Sequence, residues 1–348
     1  LTPATTSIQT LPTHPAAIAA DDSAIDLAHA ELDAPTGEQL ERPSLLSRAI
    51  VLAAIVIPIL GLIAAIVLLW GPGFGWVYLG VLLGGYVLTA LGISIGYHRL
   101  FTHKSFTTPA PIKALLGILG SMAVEGPILH WVATHRRHHQ HSDRAGDPHS
   151  PNHSFHDHDD HGAGALGILK GFWHAHMGWL FEAAPEKLDH YVPDLKADPV
   201  TRTVSNLFPL WVVLGLLIPG VIAMAITGTW MGFLLGFLWG GLVRVLLVHH
   251  ITWSVNSVCH LWGTRPYRSN DDSRNNVIFG ILGMGEGWHN NHHAFPTSAR
   301  HGLRWWQIDV SYMIIRAMSW MGLAQAVRVP DAARLESKRI RRGSGGPR

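Results

Sequence analysis

Histidine is the residue type whose number and spacing could do chemistry here. Twenty-four of the 348 residues are histidine. Three groups of them have metal-ligand spacing: His98 with His103, His135 with His138 and His139, and His289 with His292 and His293. Residues three or four apart share a helix face, so His135 can converge with His138 or His139, and His289 with His292 or His293. Neighbouring residues stand about 100° apart around a helix, so His138 and His139 can serve two different metals, as can His292 and His293. His98 and His103 are five apart, a spacing that fits where a helix ends or loosens. Eight imidazoles in three such groups are too many for one metal and suit two. Neutral imidazole suits iron, zinc, copper and nickel. The single cysteine, Cys259, excludes a thiolate cluster and an internal disulfide and reads as a small packing residue. Without thiolates, structural zinc is disfavoured; a histidine-rich pair of metals points to dioxygen chemistry at iron. Asp143 and Glu286 lie near these groups and are candidates for orienting the imidazoles.

The other histidines carry less. His149, His153, His156, His158 and His161 form a run with Asp157, Asp159 and Asp160, which reads as a solvated loop with no catalytic part. His249 and His250 lie late in an apolar run. His130, His174, His176 and His301 lack partner spacing and read as structural.

The elements that must position these residues are apolar helices. Charged residues make up 14% of the chain and apolar ones 48%, a balance that leans toward membrane. A net charge of +2 is too small to suggest nucleic acid. Four runs reach spanning length, at about 46–70, 74–97, 205–227 and 230–252. Gly71-Pro72-Gly73 joins the first two and Thr227-Gly228-Thr229 the last two, giving two helical hairpins. The turns within the hairpins hold no Lys or Arg, and apart from Arg244 every basic residue falls before, between or after the hairpins. By the positive-inside rule both termini and the 98–204 segment face the cytoplasm. Shorter apolar stretches at 112–124, 164–181 and 303–323 suit helices lying in the membrane interface. The expectation is an all-α integral membrane protein, with four spanning helices under a cytoplasmic helical cap that holds a di-metal site. Residues 1–42 read as a disordered tail, 43–330 as the folded domain and 331–348 as a basic tail. The first apolar run is too long for a signal peptide.

At its motifs the chain resembles the membrane-bound Δ9 fatty acyl desaturases, the stearoyl-CoA desaturase-like family. The matching text is Gly96-Tyr97-His98-Arg99-Leu100-Phe101-Thr102-His103, then His135-Arg136-Arg137-His138-His139 with Asp147-Pro148-His149. Next is Trp253 to His260 with Gly263-Thr264-Arg265-Pro266-Tyr267, and last Gly285-Glu286-Gly287-Trp288-His289-Asn290-Asn291-His292-His293. The resemblance covers roughly residues 45–325 and implies a di-iron centre held by nine histidines, His260 being the ninth. It also implies that Asn256, one helical turn earlier, reaches a metal through water. The chain departs from the family where the His/Asp-rich run and residues 162–170 intervene before Gly171-Phe172-Trp173.

The resemblance implies O2-dependent conversion of a methylene pair to a cis double bond, at Δ9, in a long-chain saturated acyl substrate, either acyl-CoA or acyl-lipid. The cofactors would be two iron ions, with zinc able to replace them on expression. Electrons would come from an external donor such as ferredoxin, cytochrome b5 or a reductase, and the expected location is the inner or plasma membrane. Tyr86, Ala90, Ser94 and His98 are spaced four apart along one helix stripe. In the family this stretch closes the far end of the substrate tunnel, which makes Tyr86, Ala90 and Ser94 candidate substrate contacts. Two rival readings are a membrane di-iron hydroxylase or alkane monooxygenase, and a metal transporter with a His-rich loop. The Asn256/His260 element and the Gly-Glu-Gly-Trp-His run favour desaturation over the first. The near absence of polar ligands within the spanning runs disfavours the second.

Overall fold

The computed structural model describes residues 40–41, 43–68, 75–153, 161, 164–182, 184–185 and 188–341. The tail before residue 40, the Gly71-Pro72-Gly73 turn, His156, His158 and the Asp157, Asp159 and Asp160 positions lie outside these residues, as does the end of the chain from 342.

Four described helices are long and apolar enough to cross a membrane: α1 (Leu45–Leu68), α2 (Trp76–Thr102), α6 (Phe208–Thr227) and α7 (Trp230–Leu261). At a rise of about 1.5 Å per residue, even the shortest spans about 30 Å, the thickness of a hydrocarbon core. Their outward faces are apolar: Ile63, Val67, Leu83, Leu88, Val221 and Ile226 are all exposed. The remaining helices used below are α3 (Ala110–Ser121), α4 (Ile128–His141), α5 (Gly164–His176), α8 (His289–Ala294) and α9 (Val310–Trp320). Two two-residue strands, Leu40–Glu41 and Ala184–Pro185, pair antiparallel.

Two of the long helices outrun their apolar sequence. The second continues past 97 to Thr102, and the fourth past 252 to Leu261. Hydropathy falls where the histidines begin, but the backbone hydrogen bonds do not stop there. From Gly92 to Thr102 the helix is of π type, and the pattern closes with the His103 amide on the His98 carbonyl at 3.1 Å. The wider turn brings residues five apart together, and the His98 and His103 ring centroids lie 4.8 Å apart. A second π segment, Phe237–Val243, interrupts α7 where α1 and α6 pack on it. Glycine allows that approach: a Cβ on Gly240 would stand 2.5 Å from Pro219 Cβ.

The stretch at 112–124 also packs on the bundle. Helix α3 packs on the π segment of α2, so closely that a Cβ on Gly92 would meet the Gly120 amide at 2.3 Å. Its Gly120 serves this backbone contact and its Gly117 admits the Ile128 and Val204 side chains, which a window of apolar residues does not reveal. Segments 164–181 and 303–323 do leave apolar faces outside, with Leu166, Trp173, Trp305 and Trp320 exposed.

A candidate metal centre and its cavity

The C-terminal ends of α2 and α7 meet α4 and α8, and this junction gathers the histidines into two groups. His98, His103, His135, His139 and His292 form the first; His138, His260, His289 and His293 form the second. Within each group the ring nitrogens all lie within 4.8 Å of one another. His138 and His139 thus go to different groups, as do His292 and His293. The groups abut, with the His139 and His293 rings stacked at 4.5 Å.

The hydrogen bonds assign the tautomers. Nδ1 of His138 lies 2.9 Å from Asp147, Nδ1 of His260 2.7 Å from Asp143, and Nδ1 of His293 2.6 Å from Asp271. Nδ1 of His98 meets Glu286. Each of these rings therefore carries its proton on Nδ1 and turns the Nε2 lone pair inward. Lone pairs then face their neighbours: His98 Nε2 stands 3.0 Å from His292 Nε2, and His260 Nε2 stands 3.0 Å from His289 Nε2. Nε2 of His103, His138 and His293 is buried with no hydrogen-bond partner. Buried, convergent lone pairs without a proton between them are a fit for a cation.

Electrostatics agrees with neutral rings at five of these histidines. Burial, reinforced by neighbouring imidazoles, holds His103, His135, His138, His289 and His292 well below the ordinary histidine value. Metal ligands must be deprotonated, so this environment favours binding. Burial opposes ionisation of Asp143, but His260, the Asp272 amide and the Ser150 hydroxyl outweigh it and hold the carboxyl down to about 2. Burial likewise opposes ionisation of Glu286, and Arg99, His98 and His301 overcome it, so Glu286 lies well below the usual carboxylate range. Burial and the Asp143 charge push Asp147 up to about 7.

Arg99 fixes Glu286 from behind. Its fully buried guanidinium contacts Glu286, reaches Asp309 at 3.1 Å and donates to the Ala299 carbonyl at 3.0 Å. Asp309 in turn caps α9 through the Tyr312 amide and takes the His301 and Gly302 amides. Gly285 is required here: its φ is +116°, and a Cβ would lie 2.3 Å from Asp309 Oδ1.

Several positions differ from the sequence reading. His149 is not in a solvated loop; it is buried, with its ring 4.2 Å from that of His138. The adjoining Asp147-Pro148 turn folds inward because Asp147 accepts the Asp143 and His149 amides. His301, expected to be structural, is fully buried beside His98 and Glu286 and could join a metal-holding group with them. Asp147 and Asp271 were not anticipated; both sit in loops, where no periodicity marks them. The Asp147-Pro148-His149 motif was the available signal for the first. His174 and His176 bond Glu182 and His250, and His249 bonds the Ala123 and Val124 carbonyls.

A cavity of about 750 Å³ opens against both groups, within the range of about 300–1,000 Å³ usual for small-molecule sites. His98 and His135 line it from the first group and His289 from the second, with Asn256 beside them. Tyr86, Ala90 and Ser94 line it along α2. The Tyr86 hydroxyl donates to the Leu282 carbonyl at 2.5 Å. The Ser94 hydroxyl contacts Glu286 and lies 2.7 Å from Ser311 Oγ, so it also braces the carboxylate behind His98.

A family model described as fatty acid desaturase matches residues 75–318. The hex-5-enoyl-[acyl-carrier protein] acetylenase of Moorena producens (strain JHB) is 44% identical over 285 residues, covering 82% of this chain and 87% of that protein. The sn-1 stearoyl-lipid 9-desaturase of Anabaena variabilis is 40% identical over 74% of this chain and 86% of its own length. The Delta-9 acyl-lipid desaturase 1 of Arabidopsis thaliana is 38% identical over 77% of this chain and 79% of its own. The chain belongs to the fatty acid desaturase family, and its enzymatic class is that of a fatty acyl desaturase.

Proposed function

We propose that this protein is a membrane-embedded, O2-dependent di-iron desaturase that introduces a cis double bond at Δ9 into a saturated fatty acyl chain. The observation that carries this reading is the pair of histidine groups facing one mostly apolar cavity. The first iron would be held by His98, His103, His135, His139 and His292. The second would be held by His138, His260, His289 and His293, with Asn256 reaching it through water. When bound, the iron pair supplies the activation of O2 needed to remove hydrogen from an unactivated methylene.

The protein's own part is to place and shield. Asp143, Asp147, Asp271 and Glu286 keep the imidazoles oriented and their lone pairs inward. The apolar walls from α1, α2 and α7 would hold the acyl chain beside the two groups. Two hairpins with apolar outer faces support insertion in a bilayer, and the distribution of basic residues supports a site on the cytoplasmic side. Residues 43–330 make up the proposed desaturase domain.

The test is expression in a host whose own desaturase is deleted, followed by gas chromatography and mass spectrometry of the fatty acids with double-bond location. A new cis-Δ9 monoene supports the proposal. The 44% identity to a protein named an acetylenase favours one alternative: oxidation of an existing alkene to an alkyne. An alkyne formed from a supplied monoenoic acid, with no new monoene, would replace Δ9 desaturation by that reading. A hydroxylated product would replace both.

A further inference from the structure

Two carboxylates of the cavity are not used by the histidine groups, and among the described residues one of them has no charged partner. Glu125, Glu182 and Glu286 line the cavity. Glu286 is paired with Arg99, and Glu182 bonds His174 at 3.1 Å. Among the described residues Glu125 alone of these three has no basic or histidine partner. Its Oε2 accepts the Trp131 indole N–H at 3.1 Å, and the Thr252 hydroxyl hydrogen-bonds the carboxyl. Its Oε1 is buried without a hydrogen-bond partner. Trp131 stacks on His135 at 5.0 Å and meets the His98 ring at 6.3 Å. The carboxyl therefore stands one indole away from the first histidine group.

The backbone that presents Glu125 is strained and clamped. Val124 has φ +66°, a conformation a β-branched residue rarely adopts. Its carbonyl and that of Ala123 both contact His249 Nε2 at 3.1 Å. The preceding Met122 carbonyl is held by Arg244, whose guanidinium also takes the Gly215 carbonyl at 2.8 Å. Strain of this kind persists where surrounding structure enforces it, and it clusters at functional sites. Here α7 reaches across to hold three successive carbonyls, and the result is a carboxyl aimed at an acyl cavity.

We propose that Glu125 is a proton donor for the desaturation reaction, recharged from water through the exposed, cavity-lining His130. The inference rests on the O2-dependent reading above. The balance of that reaction is R–CH2–CH2–R′ + O2 + 2 e⁻ + 2 H⁺ → R–CH=CH–R′ + 2 H2O. The electrons come from an external one-electron donor, the substrate gives two hydrogens, and two protons must be delivered through the cavity. Glu125 gives its Oε1 proton toward the reduced dioxygen and is left as carboxylate, which His130 then reprotonates. Burial pushes its carboxyl up to about 7, Thr252 and Trp131 offsetting only part of the effect. An acid poised near working pH can both give and regain a proton. The groups facing it are the Trp131 indole from α4 and the Thr252 hydroxyl from α7; His130 and His249 line the same cavity.

The experiment compares the full-length parent with Glu125→Gln and Glu125→Asp, each loaded with iron and supplied with reductant, O2 and acyl substrate. Product, electrons consumed and hydrogen peroxide released are measured across pH, in H2O and D2O. The parent should lose rate as pH rises through about 7 and should run slower in D2O. Glu125→Gln should keep parental iron content and acyl binding, lose product formation by on the order of a hundredfold, and release peroxide instead. Glu125→Asp should recover part of the rate. Parental product yield and coupling in Glu125→Gln would overturn the proposal, as would iron or substrate binding lost in step with activity. If Glu125→Gln accumulates poorly, the parent still decides: no solvent isotope effect and no alkaline limb would also overturn it. A parent that makes no double bond at all defeats the proposed function rather than this step.

Discussion

Among the residues, four carboxylates behind the histidines fix the Nδ1 protons and so the direction in which the rings face. Asp143 is the most connected: it takes His260 at 2.7 Å, the Ser150 hydroxyl at 2.9 Å and the Asp272 amide at 2.8 Å. Asp143→Asn keeps the shape and removes the charge that fixes the Nδ1 proton. It should weaken metal at the second group by about 10–100-fold, read by metal titration of purified protein. Replacing His98, His103, His135, His138, His139, His260, His289, His292 or His293 by Ala should abolish desaturation while membrane insertion survives. Replacing His153 or His161 should leave most activity, and equal loss from both sets would misplace the site. A pH effect can be read away from the metals. Burial opposes ionisation of Asp194, but Arg136 and Lys104 outweigh it and hold the carboxyl down to about 2, below its ordinary 3.8. The stabilisation is therefore complete above about pH 4 and is lost as pH falls through about 2. Asp194→Asn should lower the melting temperature at neutral pH, with the gap to the parent closing between pH 4 and 2. A gap that stays constant would count against the ion pair.

At the scale of elements, α2 carries both a wall of the cavity and two histidines, and its change of helix type links the roles. Up to Leu91 the regular turn lines Tyr86 and Ala90 along the cavity; from Gly92 the π turn swings His98 and His103 into one group. Ala90 precedes His98 by eight residues, about 12 Å at about 1.5 Å per residue, comparable with the half-chain beyond a Δ9 double bond. Ala90→Leu should shift preference to shorter chains and Tyr86→Ala to longer ones, with Tyr86→Phe as control for the lost Leu282 bond. Product profiles from C14 to C20 substrates that match the parent in both variants would remove this stripe from the tunnel. The stripe and the i, i+3, i+4 histidine pairs were legible in the sequence because helical periodicity is local. His260 was not legible by spacing, since it has no histidine three to five residues away and lies 29 residues before His289; the family motif supplied it. Asp147 and Asp271 lie in irregular loops that only the folded chain brings beside His138 and His293. His149 was misread because its acidic, histidine-rich surroundings look solvated. The inward turn that buries it depends on amides of the chain itself.

For the whole molecule, the long apolar helices and the histidine junction divide the work. On the proposed reading the helices would set depth and enclose the acyl chain, while the C-terminal ends of α2 and α7 present His98, His103 and His260. No flavin, haem or iron–sulfur motif is apparent in the sequence, and the Gly71–Gly75 run does not open a nucleotide-binding fold. Purified protein with O2 and acyl substrate should form no product until a reductant and electron carrier are added. Multiple turnovers without them would refute this. Arg244 shows how the bundle tolerates charge within an apolar helix: its guanidinium is spread over main-chain carbonyls of Gly240, Met122 and Gly215.

The division of the histidines between segments also orders the birth of the centre. When synthesis has passed residue 141, four donors of the first group already exist, whereas the second group has only His138. The second cannot be completed until His260, His289 and His293 have emerged, and His292 closes the first at the same moment. A ribosome-bound chain halted before α7 can therefore hold at most one metal, and loosely. On the proposed reading α8 would be the latch that closes both groups together, and a chain halted before residue 289 would lack a complete pair.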